Sequence, residues 1–284
     1  MCHSQYYLPL EWVRTAAAEL LASYPALESP LLRLRDLAAG GFVAATRLRT
    51  HRRYSASTNP YRLYWIDPQR ITDSISWQEI TGDWTETIPA PFKGPNYYFA
   101  GRVLDGEWDR ERRPFAESVV YRSFRAHFEG GQRWVETDLY KQTLTAIDDG
   151  GSPWGCSSSA DLESRCQEID HLYATVEAEG YRTQSEIADH DDQPLEAART
   201  NRYAQTVDGE IALVVGHDGE LLFYDGRNRL AIAKLVGCKA VPVVILARHS
   251  QWQALRDVVA SGELTPKDLD DELQTHPDLV DLLR

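Results

Sequence analysis

Apolar residues recur every three or four positions in two stretches near the start of the chain. The first runs from Leu10 to Leu21 and is followed by Pro25, and the second runs from Leu31 to Leu37 and is followed by Gly40 and Gly41. This spacing places the apolar side chains on one face of a helix, and glycine commonly ends a helix. The pattern predicts two short helices within a helical N-terminal arm over residues 1–58.

Helical patterns also occupy the middle of the chain. Residues 114–128 and 140–147 lie on either side of the Gly130-Gly131 turn, and residues 159–178 carry the clearest amphipathic pattern. We expect Ser159 to cap that last helix and Gly180 to end it. Its apolar stripe consists of Leu162, Cys166, Ile169, Leu172, Tyr173 and Val176. Together these patterns predict a large helical insertion near 114–180.

Strand patterns lie on both sides of this helical segment. Side chains alternate in "YRLYW", and the apolar runs "EIALVV" and "ELLFY" are joined by a Gly-His-Asp-Gly turn, which signals a hairpin. Both faces of these two runs are apolar, so we expect them to be covered on both sides. A helix, the strand "VPVVILA" and another helix follow. This order predicts an α/β domain over residues 59–258, followed by an acidic helical tail over 259–284.

Composition narrows the classes of function. The net charge of −13 argues against broad, non-specific attraction to nucleic acid. Arginine supplies most of the positive charge, and an acidic, lysine-poor surface fits either adaptation to high salt or a GC-rich genome. None of the four cysteines forms a C-x-x-C pair, so they predict structural thiols rather than a zinc site. The absence of a long apolar run or a secretion signal predicts a cytoplasmic protein without a membrane span.

The candidate chemistry centres on the stretch "ELLFYDGRNRLAIAKLVG". An apolar strand ends at Asp225, Gly226 permits a positive φ or a close backbone approach, and a helix begins at once. The free N–H groups of a helix N-terminus attract anions, and arginine grips phosphate in a bidentate manner. Arg227 and Arg229, with Asn228 between them, therefore predict a cradle for phosphate or carboxylate. The alternative is an ordinary helix cap with two surface arginines, although positive charge is unfavourable at that end of a helix.

Several other polar residues are candidates for chemistry. His249 follows the last strand and is a candidate acid, base or phosphate ligand, or else a structural histidine. Asp105 and Asp109, in "LDGEWD", are candidate magnesium ligands or bases, or else part of a polar turn. Glu210 opens the first hairpin strand and joins the Arg229 site only if the hairpin is regular. Asp225 is a candidate for orienting an arginine, holding a metal or capping the helix.

The segment "DGRNRLAIAKLVGCKAVPVVIL" resembles the ParB/sulfiredoxin superfamily. The resemblance covers residues from about 180 to 255 and implies a small α/β fold that binds a nucleotide or phosphate at the Gly-Arg turn. Gly226 and Arg229 match the turn glycine and the phosphate-contacting arginine. Arg227 stands where sulfiredoxin has its reactive cysteine, so sulfinic-acid reduction is not expected. Asn228 stands where many members have histidine. More narrowly, "GRVLDGEWD" and "RH-x-x-W" resemble segments of haloarchaeal proteins.

The resemblance implies a nucleotide-binding protein, and possible chemistries are phosphotransfer to an acceptor and nucleotide hydrolysis. The expected ligand is a nucleoside tri- or diphosphate with Mg²⁺, bound by Gly226, Arg227, Asn228 and Arg229. Asp225, Glu210, His249 and Asp105 are the expected catalytic groups. The alternative is a non-catalytic, DNA-associated or regulatory module. Partitioning proteins of the superfamily carry a helix-turn-helix after this domain, whereas only about thirty acidic residues follow Trp252 here, which disfavours DNA.

Overall fold

A computed structural model describes residues 28–59, 61–75, 100–183, 186–187 and 209–283, and the account below concerns these residues. The helices in chain order are α1 (Glu28–Arg53), α2 (Val119–Phe128), α3 (Asp138–Asp148), α4 (Ser159–Glu179), α5 (Arg227–Val236), α6 (Ser250–Ser261) and the short α7 (Asp271–Gln274). The strands are β1 (Leu63–Ile66), β2 (Asp73–Ser74), β3 (Arg102–Leu104), β4 (Arg113–Pro114), β5 (Ile211–Val215), β6 (Leu221–Asp225) and β7 (Val241–His249). The α/β class predicted from the sequence is confirmed.

The strands form one mixed sheet in the order β1-β7-β5-β6-β2-β4, and β3 pairs with β7 beyond the end of β1. β5 and β6 are the predicted antiparallel hairpin. β7 runs parallel to β5 and to β3. Strands β3, β5 and β7 therefore finish at the same end of the sheet, and β6 finishes at the opposite end.

Apolar side chains cover both faces of the central strands, as predicted. Ile211, Leu213 and Phe223 belong to the larger core cluster, on the face covered by helices. Ala212 and Val214 face a smaller cluster that includes Trp108. All five residues of β5 are fully buried. Successive side chains of a strand point to opposite faces of the sheet. A strand that is apolar at every position must therefore be covered on both faces.

Helices α2, α3 and α4 confirm the predicted helical segment between the strands. α5 packs against both α2 and α4. Gly180 ends α4 as predicted, but the cap is Ser158, whose side chain accepts a hydrogen bond from the Asp161 amide, and not Ser159. Four residues of the predicted stripe are buried, which confirms that this face packs on the core: Leu162, Cys166, Ile169 and Val176.

The N-terminal arm differs from its prediction. α1 continues through Gly40 and Gly41, where the sequence predicts an end. Each glycine costs a helix about 1 kcal/mol relative to alanine, but Val43, Thr46 and Thr50 are buried at helical spacing just beyond them. Tertiary burial therefore extends the helix. The predicted first helix, Leu10–Leu21, lies outside the described residues.

The acidic tail is mostly not helical, which corrects another prediction. Beyond α6 it contains a 3₁₀ turn, Pro266–Asp268, and the four-residue α7. A buried ion pair holds this segment in place: Arg248 donates to both carboxylate oxygens of Asp278, at 2.6 and 2.8 Å. Trp252 also donates to that carboxylate, at 2.9 Å. Long-range side-chain bonds, rather than helical periodicity, fix the tail.

Within the described ranges, no helix is both long and apolar enough to cross a bilayer.

Candidate functional site

The candidate residues fall at two opposite ends of the sheet. Ala212, at the start of β5, pairs with Asp225, whereas Val215, at its finish, pairs with Arg248. We call the first of these the Arg229 end and the second the His217 end. A strand rises about 3.3 Å per residue, so the two ends lie roughly 13 Å apart along β5. No single site can contain all the residues that the sequence suggested.

Glu210, Asp225 and Arg229 lie together at the Arg229 end. Nη2 of Arg229 donates a hydrogen bond to the backbone carbonyl of Glu210, 3.3 Å away. The hairpin is not fully regular, because its register shifts between Ala212 and Leu213, but Glu210 and Arg229 still lie at the same end. Glu210 lies directly before β5 and is only 3% exposed. A buried carboxylate and a guanidinium therefore flank the start of α5.

The turn between β6 and α5 depends on Gly226. Its φ of +90° lies in the left-handed region, which side chains other than glycine rarely adopt. A Cβ at this position would lie 3.0 Å from the Cα of Ile211 and 3.2 Å from Nη2 of Arg229. The glycine thus lets the turn pass directly over the start of β5 and leaves room for the Arg229 guanidinium.

Arg229 projects from the first turn of α5 into a pocket. The pocket has a volume of about 400 Å³ and lies between α5, the C-terminal half of α4 and the segment that follows it. Its apolar lining includes Leu172, Val176, Ile187 and Ile232. Its polar lining includes His171, Thr175, Tyr181, Arg182 and Arg229. An apolar wall with a few convergent polar groups is the usual composition of a small-molecule site.

Two polar groups of this pocket have unused hydrogen-bonding capacity. Nη1 of Arg229 and the hydroxyl of Tyr181 are buried atoms without a hydrogen bond of good geometry among the described residues, although the Arg229 guanidinium lies near enough to the Tyr181 hydroxyl to interact with it. Burial raises the pKa of Tyr181, and the neighbouring Arg229 charge partly opposes that effect. Buried polar groups are normally hydrogen-bonded, and those that are not require an explanation. A bound acceptor in the pocket would supply one.

The remaining residues of the turn surround the start of α5. No side chain caps this helix at Gly226. Burial lowers the pKa of Arg227, and the nearby Asp225 charge opposes that effect, so Asp225 lies close to this arginine. Asp225 also accepts a hydrogen bond from the Gly226 amide at 2.7 Å. Asn228 has a buried side-chain oxygen without a hydrogen bond among the described residues.

Asp105 and His249 lie at the His217 end, away from Arg229. Nε2 of His249 lies 2.8 Å from the Gly106 carbonyl, and its Nδ1 caps α6 by accepting the Gln251 amide at 3.2 Å. These two bonds assign a neutral imidazole with the proton on Nε2. Asp105 accepts from Ser250 at 2.8 Å. Both residues therefore have structural partners, and the structure does not bring them to the Arg229 pocket.

Sequence reasoning missed the wall of the pocket that α4 provides. His171, Tyr181 and Arg182 lie roughly fifty residues before Arg229 and carry no motif that links them to it. The sequence signal for this wall was weak. It consisted of the polar positions of α4 and the "YR" pair directly after Gly180. Only the packing of α4 against α5 converts that face into part of a site.

No protein-family model, curated protein or solved structure matches this chain. The resemblance to the ParB/sulfiredoxin superfamily stays a prediction.

Proposed function

We propose that this protein binds a phosphate-bearing small molecule, in first place a nucleotide, in the pocket between α4 and α5. The observation that carries the proposal is the guanidinium of Arg229, which lines the pocket with Nη1 unpaired among the described residues. A guanidinium offers planar donors that match a phosphate or carboxylate. An apolar ligand would leave this guanidinium with only the Glu210 carbonyl and the nearby Tyr181 hydroxyl as acceptors among the described residues, so the pocket favours an anion.

A second arginine and a histidine in the lining of the pocket support an anionic ligand. Arg182 and His171 lie on the same lining as Arg229. Arg182 forms an ion pair with Glu179 at 2.8 Å, but both side chains are more than 40% exposed. Exposed pairs contribute little free energy, so Arg182 can exchange this partner for a ligand phosphate at low cost. The protein's net charge of −13 gives no general attraction to anions, and specificity must arise from this local group.

The apolar wall favours a nucleotide over inorganic phosphate alone. Leu172, Val176 and Ile232 form a surface against which a base or ribose can pack. The volume of about 400 Å³ lies within the range of typical ligand sites. A ligand with an apolar ring at one end and phosphate at the other would satisfy both parts of the lining.

Glu210 and Asp225 are two carboxylate residues at this end of the sheet, beside the turn that carries Arg229. They suit the Mg²⁺ that commonly accompanies nucleotide phosphates, because magnesium prefers carboxylate and water oxygens. If the protein is a phosphotransferase or nucleotide hydrolase, as the resemblance implies, these two residues are our candidates for the metal or the base. Asp105 and His249 are not part of this proposal because they lie at the other end.

A thermal-shift screen tests the proposal. The full chain is heated with ATP, ADP, CTP, GTP or pyrophosphate, each with and without Mg²⁺, in low and molar potassium chloride. A ligand that binds only the native state raises Tm by mass action. We expect a shift for at least one nucleotide, absent in Arg229→Gln and retained in Arg133→Gln, a control at a 76% exposed arginine. No shift with any of these compounds, at a salt concentration where the protein is folded, would overturn the proposal.

A further inference from the structure

A second cluster of titratable groups lies at the His217 end of the sheet. It comprises Asp109, from the loop after β3, and His217 and Glu220, from the turn between β5 and β6. One ligand atom from each of the three residues lies within 4.8 Å of the other two. The cluster is roughly the length of β5 away from the Arg229 pocket, so it is a separate site.

Asp109 is buried in an unusual state. It is 2% exposed, and its Oδ2 accepts from the backbone N–H of His217 at 2.7 Å. Its other oxygen, Oδ1, is buried and has no hydrogen-bond partner among the described residues. Burying a carboxylate is costly unless each oxygen is compensated. The uncompensated Oδ1 leaves this carboxylate able to accept a further positive group.

The imidazole of His217 bridges two carboxylates, one at each ring nitrogen. Its Nδ1 lies 2.6 Å from Oδ2 of Asp109, and its Nε2 lies 2.9 Å from a carboxylate oxygen of Asp218. Histidines that bind metals typically donate the N–H of their other ring nitrogen to a carboxylate, which fixes the tautomer. Asp218 would have that role here once an ion replaces the hydrogen bond between Nδ1 and Asp109.

Gly216 allows two carboxylates to converge on the same point. A Cβ there would lie 2.5 Å from Oε2 of Glu220 and 3.0 Å from Oδ2 of Asp109. A side chain at this position would displace the Glu220 carboxylate and crowd that of Asp109. Arg112 donates to Oε1 of Glu220 at 2.7 Å, and Oε2 accepts from the backbone N–H of Asp218 at 3.1 Å. Arg112 already offsets one of these two negative charges, and a cation bound between the carboxylates would offset the other.

We infer that Asp109, His217 and Glu220 form a binding site for a divalent transition-metal ion, with Zn²⁺ as the expected occupant. Three protein ligands of the N, O and O type leave a fourth position for water, which is the arrangement of reactive rather than purely structural zinc sites. An imidazole in the set favours Zn²⁺ over Mg²⁺, which prefers oxygen ligands throughout. The competing occupant is a proton on His217, because both of its ring nitrogens contact carboxylates.

The metal requires a small rearrangement. Ligands about 2.0–2.2 Å from a tetrahedral ion are spaced roughly 3.4 Å apart, so Nδ1 of His217 and Oδ2 of Asp109 must separate from their present 2.6 Å. His217 is 14% exposed and lies on a hairpin turn, and the Glu220 side chain is 26% exposed. The site has both the access and the local freedom that this change needs.

Calorimetric titration of the chelator-treated, dialysed full chain with Zn²⁺ alone tests the inference. We expect one ion per chain, with affinity reduced at least 10-fold in Asp109→Asn and in His217→Gln. Asp218→Asn should weaken binding by about 10-fold, as expected for a residue that orients a ligand. The matched control is His51→Ala, at an exposed histidine of α1, which should bind as the unmodified protein does. Mg²⁺ should bind far more weakly than Zn²⁺.

The result that would overturn the inference is either absence of stoichiometric Zn²⁺ binding or unchanged affinity in both Asp109→Asn and His217→Gln. Circular dichroism establishes that each variant is folded. If either buried variant fails to fold, Glu220→Gln provides the decision, because its partly exposed side chain is not needed for the core. Unchanged affinity in that variant contradicts the inference, and a 10-fold loss supports it.

Discussion

The guanidinium of Arg229 donates through Nη2 to the backbone carbonyl of Glu210, which ties the first turn of α5 to the start of β5. The bond uses one side of the guanidinium and leaves Nη1 buried and unpaired among the described residues. The arginine is thereby held in place by the fold while it presents a donor to the pocket. Preorganisation of this kind lowers the entropy cost of ligand binding.

Gly219→Ala should destabilise the protein more than Gly237→Ala. Both glycines have positive φ, +92° and +73°, so both substitutions impose backbone strain of about 1–2 kcal/mol. At Gly219 a Cβ would also lie 2.4 Å from the Trp252 ring, whereas at Gly237 nothing lies within 4 Å. We expect an additional 1–3 kcal/mol or so for the clash, measured by urea denaturation. Equal losses in the two variants would contradict this packing.

Asp278→Ala should be strongly destabilising. The substitution leaves Arg248, whose side chain is 0% exposed, without its ion-pair partner, and removes the acceptor of Trp252. Breaking a buried pair by removing one member costs about 3–5 kcal/mol. Denaturant unfolding provides the measurement, with Glu272→Gln, an exposed carboxylate of the same tail, as the control. A loss no larger than that of the control would show that the pair does not anchor the tail.

Stability should fall as pH decreases from about 6.5 to 4, through His276. Burial lowers the pKa of this residue to about 4 from its usual 6.5. In that interval the unfolded chain takes up a proton that the folded chain does not, so acid favours unfolding. The full difference corresponds to roughly 3 kcal/mol. The pKa of His217 is raised in the folded protein, so this residue has the opposite effect. Its contribution to the free energy of unfolding is present below pH 6.5 and is lost as the pH rises through the pKa of the folded state.

Denaturation curves at pH 4.5, 5.5, 6.5 and 7.5 measure this effect. In the unmodified protein we expect a clear loss of unfolding free energy between pH 6.5 and 4.5. In His276→Gln the slope in that interval should be smaller, because the group that takes up the proton on unfolding is gone. An unchanged slope in the folded variant would assign the acid sensitivity to other groups.

Local elements could be predicted from the sequence because their signals are local. The alternation and turn residues of β5 and β6, the periodicity of α4 and the glycines that end α4 and α5 all act within a few residues. The exceptions have long-range causes. α1 continues through Gly40 and Gly41 because residues beyond them are buried. The C-terminal segment is held in place because Arg248 binds Asp278.

The candidate site could be predicted only in part for the same reason. The Gly226 turn and the arginines are contiguous in sequence, and their position at the start of α5 is as predicted. The sequence gives no indication that Asp105 and His249 lie at the opposite end, because that depends on the parallel pairing of β7 with β3 and β5. Likewise, Tyr181 reaches Arg229 only through the packing of α4 on α5.

The "RH-x-x-W" segment illustrates how a motif can be structural. Arg248 and Trp252 both bind the Asp278 carboxylate, and His249 caps α6. All three residues are at most 3% exposed. The motif therefore marks the anchoring of the C-terminal segment to β7 and α6, and it adds no residue to the Arg229 pocket.

The most direct measurement is a calorimetric titration of the protein with ATP and with pyrophosphate, comparing Arg229→Gln, Arg229→Lys and the control Arg133→Gln. We predict that Arg229→Gln weakens binding at least 10-fold, which is about 1.4 kcal/mol. Arg229→Lys should give an intermediate loss, because a lysine keeps the charge but not the planar pair of donors. Affinity in Arg229→Gln equal to that in Arg133→Gln, or no binding to the unmodified protein, would contradict the account.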